Sequence, residues 1–156
     1  MKERTVMNEN FQTVIKIKKL RDNAKIPARG SASAAGYDLC SCTGEDIEIL
    51  PSETAGIGTG ISVEIPEGYF GAVFARSGLA MKQGLRPANC VGVIDSDYRG
   101  EIIVAVHNDS SEARTIHPGD RIAQLVILPY LQVSFEEAGE LEETERGAGG
   151  FGSTGI

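Results

Sequence analysis

The chain has 156 residues, of which 41% are hydrophobic and 19 are glycine, and its formal net charge is −7. This size and composition fit one folded domain and argue against global disorder, while the acidic balance argues against non-specific binding to nucleic acid. No apolar run approaches the roughly 18 residues that span a membrane, no apolar signal core begins the chain, and three cysteines do not make a disulfide framework, so we expect a cytoplasmic protein with no membrane partner.

The predicted elements are short strands with a single helix candidate among them. Alternation of Ile with Lys or other polar residues at 15–18 and 61–65 is typical of half-buried strands. Further strand candidates, separated by turn signals, are residues 69–74, 89–95, 101–108 and 121–130. The helix candidate spans 77–84, with Ser77 as its expected N-cap and Gly84 at its end. This pattern predicts an all-β sandwich, barrel or jelly roll.

The last part of the chain differs in charge and composition from the rest. Residues 136–156 carry six acidic side chains and one basic one, and four of the six residues from Gly147 to Gly152 are glycine. Such a stretch does not hold a helix or strand unaided. We therefore predict a folded body over residues 1–135, followed over 136–156 by an acidic tether and a Gly-rich C-terminal lid.

The glycines from Gly147 to Gly152 also match the G-x-G-x-x-G pattern of dinucleotide-binding folds. That pattern requires a strand before it, a helix after it and an acidic residue about 20 positions later. The chain ends four residues later, so this interpretation is rejected.

Arg76-Ser77-Gly78 opens the helix candidate. A helix N-terminus presents free N–H groups and a partial positive charge, and an arginine adds a fork of donors, so the segment suits a phosphate. The alternative is an ordinary capped helix with a surface arginine.

Two carboxylates lie at or in predicted strands. Asp95 follows an apolar strand and leads into a tight turn, where a carboxylate can accept a proton from water; the alternative is a hairpin whose Asp side chains make local turn bonds. Asp38, in an early strand, would suit Mg²⁺ bound to phosphates, because Mg²⁺ takes few protein ligands; the alternative is a turn-forming Asp.

Taken in order, five segments resemble the five motifs of the trimeric dUTP pyrophosphatases, or dUTPases. They are residues 35–39 (AGYDL), 76–80 (RSGLA), 92–100 (GVIDSDYRG), 119–125 (GDRIAQL) and 146–155 (RGAGGFGSTG). Each motif alone is weak to moderate, but all five in order span most of the chain. One small departure is Ala75, where many relatives have proline, and residues 1–12 lie outside the motif-bearing region.

The resemblance implies a jelly-roll-like distorted β-barrel with one short helix, and a homotrimer with three active sites at its interfaces. The first, second and fourth motifs come from one chain, the third comes from a neighbour, and the fifth closes as a lid from the third chain. The implied reaction is the hydrolysis of dUTP to dUMP and pyrophosphate, assisted by Mg²⁺.

The third motif is implied to hold the nucleoside and the attacking water. Asp95 would orient and deprotonate the water that attacks the α-phosphate. Asn89, with the backbone around Gly92 and Val93, would read the uracil edge. Tyr98 would pack under the deoxyribose and leave no space for a 2′-hydroxyl.

The other motifs are implied to hold the phosphates, the metal and the outer face of the base. The implied phosphate ligands are Arg76, Ser77, Gly78 and Gln124. Asp38 would contact Mg²⁺ through water. In the C-terminal arm the implied substrate-binding residues are Arg146, Phe151, Gly152, Ser153 and Thr154, with Phe151 stacked on uracil and Arg146, Ser153 and Thr154 at the γ-phosphate.

Two alternatives stay open. A dCTP deaminase shares this fold and trimer, but that family resembles Arg-Ser-Ser at the second motif and needs a Glu placed for deamination, so Gly78 and the complete fifth motif favour the dUTPase. The second alternative is a binding or regulatory protein on the same scaffold. Its partner would contact the basic residues 1–30, which otherwise form a solvated face.

Overall fold

A computed structural model describes residues 13–150 of the chain. In this part it contains twelve strands and one helix. In chain order they are β1 (Lys16–Lys19), β2 (Ala28–Arg29), β3 (Tyr37–Cys40), β4 (Ile47–Ile49), β5 (Thr54–Gly58), β6 (Ile61–Glu64), β7 (Tyr69–Phe74), α1 (Ser77–Gln83), β8 (Leu85–Pro87), β9 (Val91–Ile94), β10 (Ile103–Asn108), β11 (Arg114–Ile116) and β12 (Arg121–Pro129). The prediction of a mostly β fold with one short helix is confirmed.

The strands pair antiparallel in four sheets. The largest has the order β2-β3-β12-β7-β9, and a three-stranded sheet has the order β5-β10-β8. The remaining sheets are the pairs β1-β6 and β11-β4. Within residues 13–150, α1 is a single helix of seven residues, and no helix there is long and apolar enough to cross a membrane.

The sheets enclose one apolar core. Ile57, Ile61, Leu85 and Val106 are fully buried in it. In β10 buried and less buried residues alternate, as expected for a strand with one face on the core. Burial of these branched side chains is the main stabilising contribution, at roughly 25 cal/mol per Å² of apolar surface.

The predicted strands are present. The strand predicted at 69–74 has the observed bounds, the one predicted at 15–18 is shifted by one residue, and the other four are one to three residues shorter than predicted. The prediction for the start of the helix was wrong. Arg76 occupies the N-cap position in extended geometry, Ser77 is the first helical residue, and no side chain caps the helix. Gly84 ends the helix in the left-handed conformation, with φ of 68°, as predicted.

Five strands had no sequence prediction: β2, β4, β5, β8 and β11. They have two to five residues each, and β5 contains two glycines while β8 ends in proline. Glycine and proline are depleted in strands, so local propensity does not reveal them. They form because other parts of the chain supply partners: β10 pairs with both β5 and β8, β3 pairs with β2, and β4 pairs with β11.

Candidate active site

Asp38 is held between two guanidinium groups where strands β3, β12 and β7 lie side by side. It is level with Gln124 on β12, which is level with Phe74 at the end of β7. Arg76 Nε donates to Asp38 Oδ1 at 2.8 Å, and Arg121 Nη1 donates to Oδ2 at 3.2 Å. The sheet therefore gathers residues from three of the sequence motifs at one place.

Gln124 is fixed by contacts on both sides. Its Nε2 donates to the carbonyl oxygen of Ala75 at 2.8 Å, immediately before Arg76. A methyl group at Gly36 would collide with Gln124 Oε1. The close approach of the Gly36 backbone therefore orients the carboxamide of Gln124.

These groups line a cavity of about 210 Å³, with Asp38, Arg76, Ser77, Gly78 and Gln124 on its wall. At Gly78 a Cβ would meet nothing within 4 Å, so the space beside this backbone is open. Arginine forks, a hydroxyl, a carboxamide and an accessible backbone around such a cavity can hold a phosphorylated ligand. All five residues were predicted as phosphate or metal ligands, and the structure brings them together.

A second cavity, of about 170 Å³, lies on the β9 side of the sheet, with Asn89, Gly92 and Val93 on its wall. A Cβ at Gly92 would lie 3.2 Å from Val73 Cβ and 3.5 Å from Asn89 Nδ2. Gly92 thus lies tightly against Val73, with the Asn89 amide beside it. The three predicted uracil-reading residues therefore lie together.

The turn after β9 carries Asp95 and Tyr98. Tyr98 N–H donates to the Asp95 carbonyl at 3.1 Å, and Tyr98 Oη donates to the Glu101 carbonyl at 3.0 Å. The Tyr98 ring lies so close to Gly100 that a methyl group there would collide with it. Tyr98 is nevertheless 44% exposed, so an outer part of it is free for a ligand.

The cavity lined by Asp38, Arg76, Ser77, Gly78 and Gln124 is called the phosphate-type cavity below. Within one chain, Asp95 lies far from it. In the β7–β9 pair Gly71 is opposite Ile94 and Phe74 is opposite Val91, so Asp95 follows at the level of Phe70, near the start of β7, whereas Arg76 lies beyond its other end. At about 3.3 Å per residue, the six steps from the level of Phe70 to Arg76 span roughly 20 Å. Asp95 instead lines an open surface depression of about 800 Å³.

Of the predicted arm residues, only Arg146 is described. Arg146 Nε donates to the Gly149 carbonyl at 2.7 Å inside a local turn, and residues 129–148 are exposed. Phe151, Gly152, Ser153 and Thr154 lie outside the described residues.

Sequence reasoning assigned no role to Arg121, which the structure places on Asp38. The available signal was its position three residues before Gln124 in the fourth motif. Its contact with Asp38 depends on an irregular step in the β12–β3 register between Arg121 and Ala123, which periodicity does not reveal.

Across residues 13–150 no group of three or more His, Cys, Asp or Glu side chains could hold a metal ion. Asp38 is a single carboxylate on the wall of the phosphate-type cavity. This donor set fits Mg²⁺ that arrives on phosphates, because Mg²⁺ keeps several waters and takes one or two carboxylates.

Comparisons with known proteins agree in both sequence and fold. Residues 22–155 match the family model described as dUTPase. The chain is 53% identical to the deoxyuridine 5′-triphosphate nucleotidohydrolase of Nautilia profundicola, over 90% of this chain and 98% of that one. It is 53% identical to the Desulfitobacterium hafniense enzyme of the same name, over 85% of this chain and 88% of that one. The dUTPase of Staphylococcus bacteriophage 80alpha superposes with a TM-score of 0.84 at 32% identity, over 93% of this chain and 100% of that one.

Proposed function

Since the chain belongs to the dUTPase family and is a dUTP diphosphatase, which hydrolyses dUTP to dUMP and pyrophosphate, we propose that three copies of it assemble each active site. The observation that carries this proposal is the position of Asp95 at the opposite end of β7 from Arg76. A water activated by Asp95 cannot reach a phosphate held by Arg76 of the same chain across roughly 20 Å. A neighbouring chain must bring the two groups together.

Exposed apolar side chains support this assembly. Val93 and Ile103 lie on the wall of the cavity that also contains Asn89, and they are 61% and 59% exposed. Leu131, Val133 and Phe135 alternate along the segment after β12 and are also exposed. Exposed apolar side chains of this kind are typical of interaction sites, and we assign them to contacts between copies in a homotrimer.

In the proposed reaction Asp95 of one chain holds the attacking water and takes its proton. The water oxygen bonds to the α-phosphorus, the bond from that phosphorus to its bridging oxygen breaks, and pyrophosphate leaves with the bridging oxygen. Arg76, Ser77, Gly78 and Gln124 of a neighbour hold the phosphates in line with the water. Positioning and charge stabilisation account for most of the acceleration in such displacements.

Mg²⁺ is the proposed cofactor, with Asp38 as its contact through water. When bound, the ion neutralises charge on the phosphates. The guanidinium groups of Arg76 and Arg121 hold the Asp38 carboxylate in one orientation on the cavity wall. That orientation leaves the carboxylate to meet hydrated metal rather than to bind it as part of a protein cage.

The nucleoside would lie in the cavity that has Asn89, Gly92 and Val93 on its wall. Asn89 and the backbone at Gly92 and Val93 read the uracil edge, and Tyr98 packs under the deoxyribose. Support comes from the position of Asn89, Gly92 and Val93 together on the wall of this cavity. A purely steric pocket discriminates against an added hydroxyl by about 100-fold.

Residues 1–135 form the proposed body, and residues 136–156 the acidic tether and lid. We assign Phe151 to stacking on uracil, and Arg146, Gly152, Ser153 and Thr154 to the phosphate end of the substrate. Support for a tether comes from the exposed, strandless course of residues 131–148. An exposed arm can close over its ligand and exclude water.

Mixing two inactive variants tests the shared site. Asp95→Asn and Arg76→Ala should each abolish pyrophosphate release from dUTP. Unfolding and refolding them together should restore about a quarter of the sites, because a quarter would combine an intact Asp95 with an intact Arg76 from different chains. The double variant on one chain, refolded with Asp95→Asn, is the control and should stay inactive.

No recovery in the mixture, despite trimers that contain both variants, would place each site within one chain. A parallel assay of dUTP, dCTP, dTTP and UTP with and without Mg²⁺ tests the substrate and cofactor. Ammonia released from dCTP above background would favour the deaminase alternative.

A further inference from the structure

We propose that Arg21 and Glu101 are positioning residues. They fix the place of the Tyr98 ring, and so its distance from the bound sugar, and thereby contribute to the rejection of ribonucleotides. This inference rests on the proposed function, in which Tyr98 packs under the deoxyribose. Neither residue belongs to the set assigned to substrate, metal or water.

The two side chains form a bidentate ion pair between distant parts of the chain. Arg21 Nη1 lies 2.8 Å from Glu101 Oε1, and Nη2 lies 2.8 Å from Oε2. The Glu101 side chain is 17% exposed, so solvent screens the pair only in part. Two parallel charge-assisted bonds fix both distance and orientation.

The pair is tied to the backbone on both sides. Glu101 Oε1 also accepts the Gly60 N–H at 2.7 Å, and Arg21 Nη1 donates to the Cys42 carbonyl at 3.1 Å. The Leu20 N–H donates to the Gly60 carbonyl at 2.7 Å. Glu101 is thereby anchored to the segment after β1 and to the turn between β5 and β6.

Tyr98 takes its position from Glu101. Its Oη donates to the Glu101 carbonyl, and its ring lies against Gly100, the preceding residue. Ser62 Oγ donates to the Arg99 carbonyl in the same turn at 2.7 Å. Any shift of the Glu101 backbone therefore moves the surface on which the Tyr98 ring packs.

Gly58 provides independent support, because it leaves the space that the ion pair occupies. A Cβ at this position would lie 2.5 Å from Glu101 Oε1 and 3.3 Å from Arg21 Nη1. Gly58→Ala should displace Glu101 while both charges remain in the protein. It therefore separates the position of Glu101 from the loss of charge.

The discrimination between dUTP and UTP depends on the distance between the Tyr98 ring and the sugar. A 2′-hydroxyl is excluded only while the ring stays close to the sugar, and a relaxed ring would admit it. Such a change raises activity on UTP relative to dUTP, because specificity is the difference between two transition-state affinities. A purely structural role would lower both activities together.

The test is the ratio of kcat/KM for dUTP to kcat/KM for UTP in the full-length protein with Mg²⁺. Arg21→Met, Glu101→Gln and Gly58→Ala should each lower this ratio by about tenfold, a fraction of the ~100-fold that steric rejection of a hydroxyl supplies. Arg86→Met is the matched control. It breaks a similar bidentate pair, with Asp109 at 2.6 and 3.1 Å, and should leave the ratio within about twofold.

An unchanged ratio in Arg21→Met and Gly58→Ala, alongside its loss in Tyr98→Ala, would overturn the inference and leave the proposed role of Tyr98 intact. A ratio near one in the wild-type protein would overturn both. An equal fall in Arg86→Met would show that any lost ion pair acts in this way, which also overturns the inference. If Arg21→Met does not fold, Glu101→Gln and Gly58→Ala decide the question.

Discussion

At the scale of single residues, the phosphate-type cavity depends on close contacts that fix its side chains. Asp38 accepts two arginine donors, and Gln124 lies between the Gly36 backbone and the Ala75 carbonyl. The sequence motifs identify Asp38, Arg76 and Gln124 as candidates. They do not reveal that Arg121 completes the set, because that contact crosses 83 positions of the chain.

Gly36→Ala should lower kcat/KM for dUTP by at least about tenfold, because the new methyl group would displace the Gln124 carboxamide. Gly30→Ala is the control, since Gly30 lines the same cavity but a Cβ there meets nothing within 4 Å. Steady-state kinetics with melting curves separate a local effect from unfolding. Equal activities in the two variants would show that the position of Gln124 is unimportant.

His117 provides a pH-dependent contact near this cavity. The hydrogen bond and charge of Asp46, 2.8 Å away, raise the pKa of His117 above its ordinary 6.5. Because the folded pKa is the higher one, stability from this pair is present below the unfolded pKa of about 6.5 and is lost as pH rises through the folded pKa.

An NMR titration of the His117 ring should therefore show a lower pKa in Asp46→Asn than in the wild-type protein. Glu45→Gln, which removes a neighbouring exposed carboxylate, should leave that pKa near the wild-type value. Identical titrations in all three proteins would remove Asp46 as the cause.

At the scale of elements, α1 joins β7 to β8 and begins directly after Arg76, so it helps to place the Arg76-Ser77-Gly78 segment. It ends at Gly84, whose N–H donates to the Ala80 carbonyl. The sequence revealed this end correctly, because glycine is the ordinary residue for a left-handed C-cap. The N-cap was wrongly predicted at Ser77. Its position is defined by backbone geometry, and the residue with that extended geometry is Arg76, whose side chain makes no capping hydrogen bond.

Gly84→Ala should lower the free energy of unfolding by about 1–2 kcal/mol, the cost of a left-handed conformation for an L-residue. A Cβ there would also lie 3.0 Å from Ser110 atoms. Gly78→Ala is the control for stability, since Gly78 is helical and a Cβ there meets nothing within 4 Å. Denaturant unfolding measures both, and equal stability of the two variants would contradict the C-cap role.

At the scale of the whole molecule, a single chain separates the groups to which we assign the attacking water and the phosphates. Asp95 lies near the start of β7 and Arg76 beyond its other end, and residues 130–148 run exposed beyond the last described strand. Exposed Val93, Ile103 and Phe135 give the chain apolar surface that further copies can cover.

Deletion of residues 147–156 should lower kcat for dUTP by at least about 100-fold while leaving the melting temperature nearly unchanged, because the core residues found within residues 13–150 all precede this segment. Replacement of the same residues by a Gly/Ser sequence of equal length is the control for chain length alone, and should be as inactive as the deletion. Full activity in either variant would show that the segment is not a lid.

The sequence by itself determined the mostly β fold, the short helix and the family, and it supplied the candidate site residues. These features follow from local signals: the alternation of side chains, the turn residues and the five ordered motifs. Such signals can be read without knowledge of the fold. Only the tertiary structure decided which of those residues meet. Strand register brings Asp38, Arg76, Arg121 and Gln124 together and keeps Asp95 apart. Register follows from the packing of whole faces against the core, which no single segment of the sequence contains.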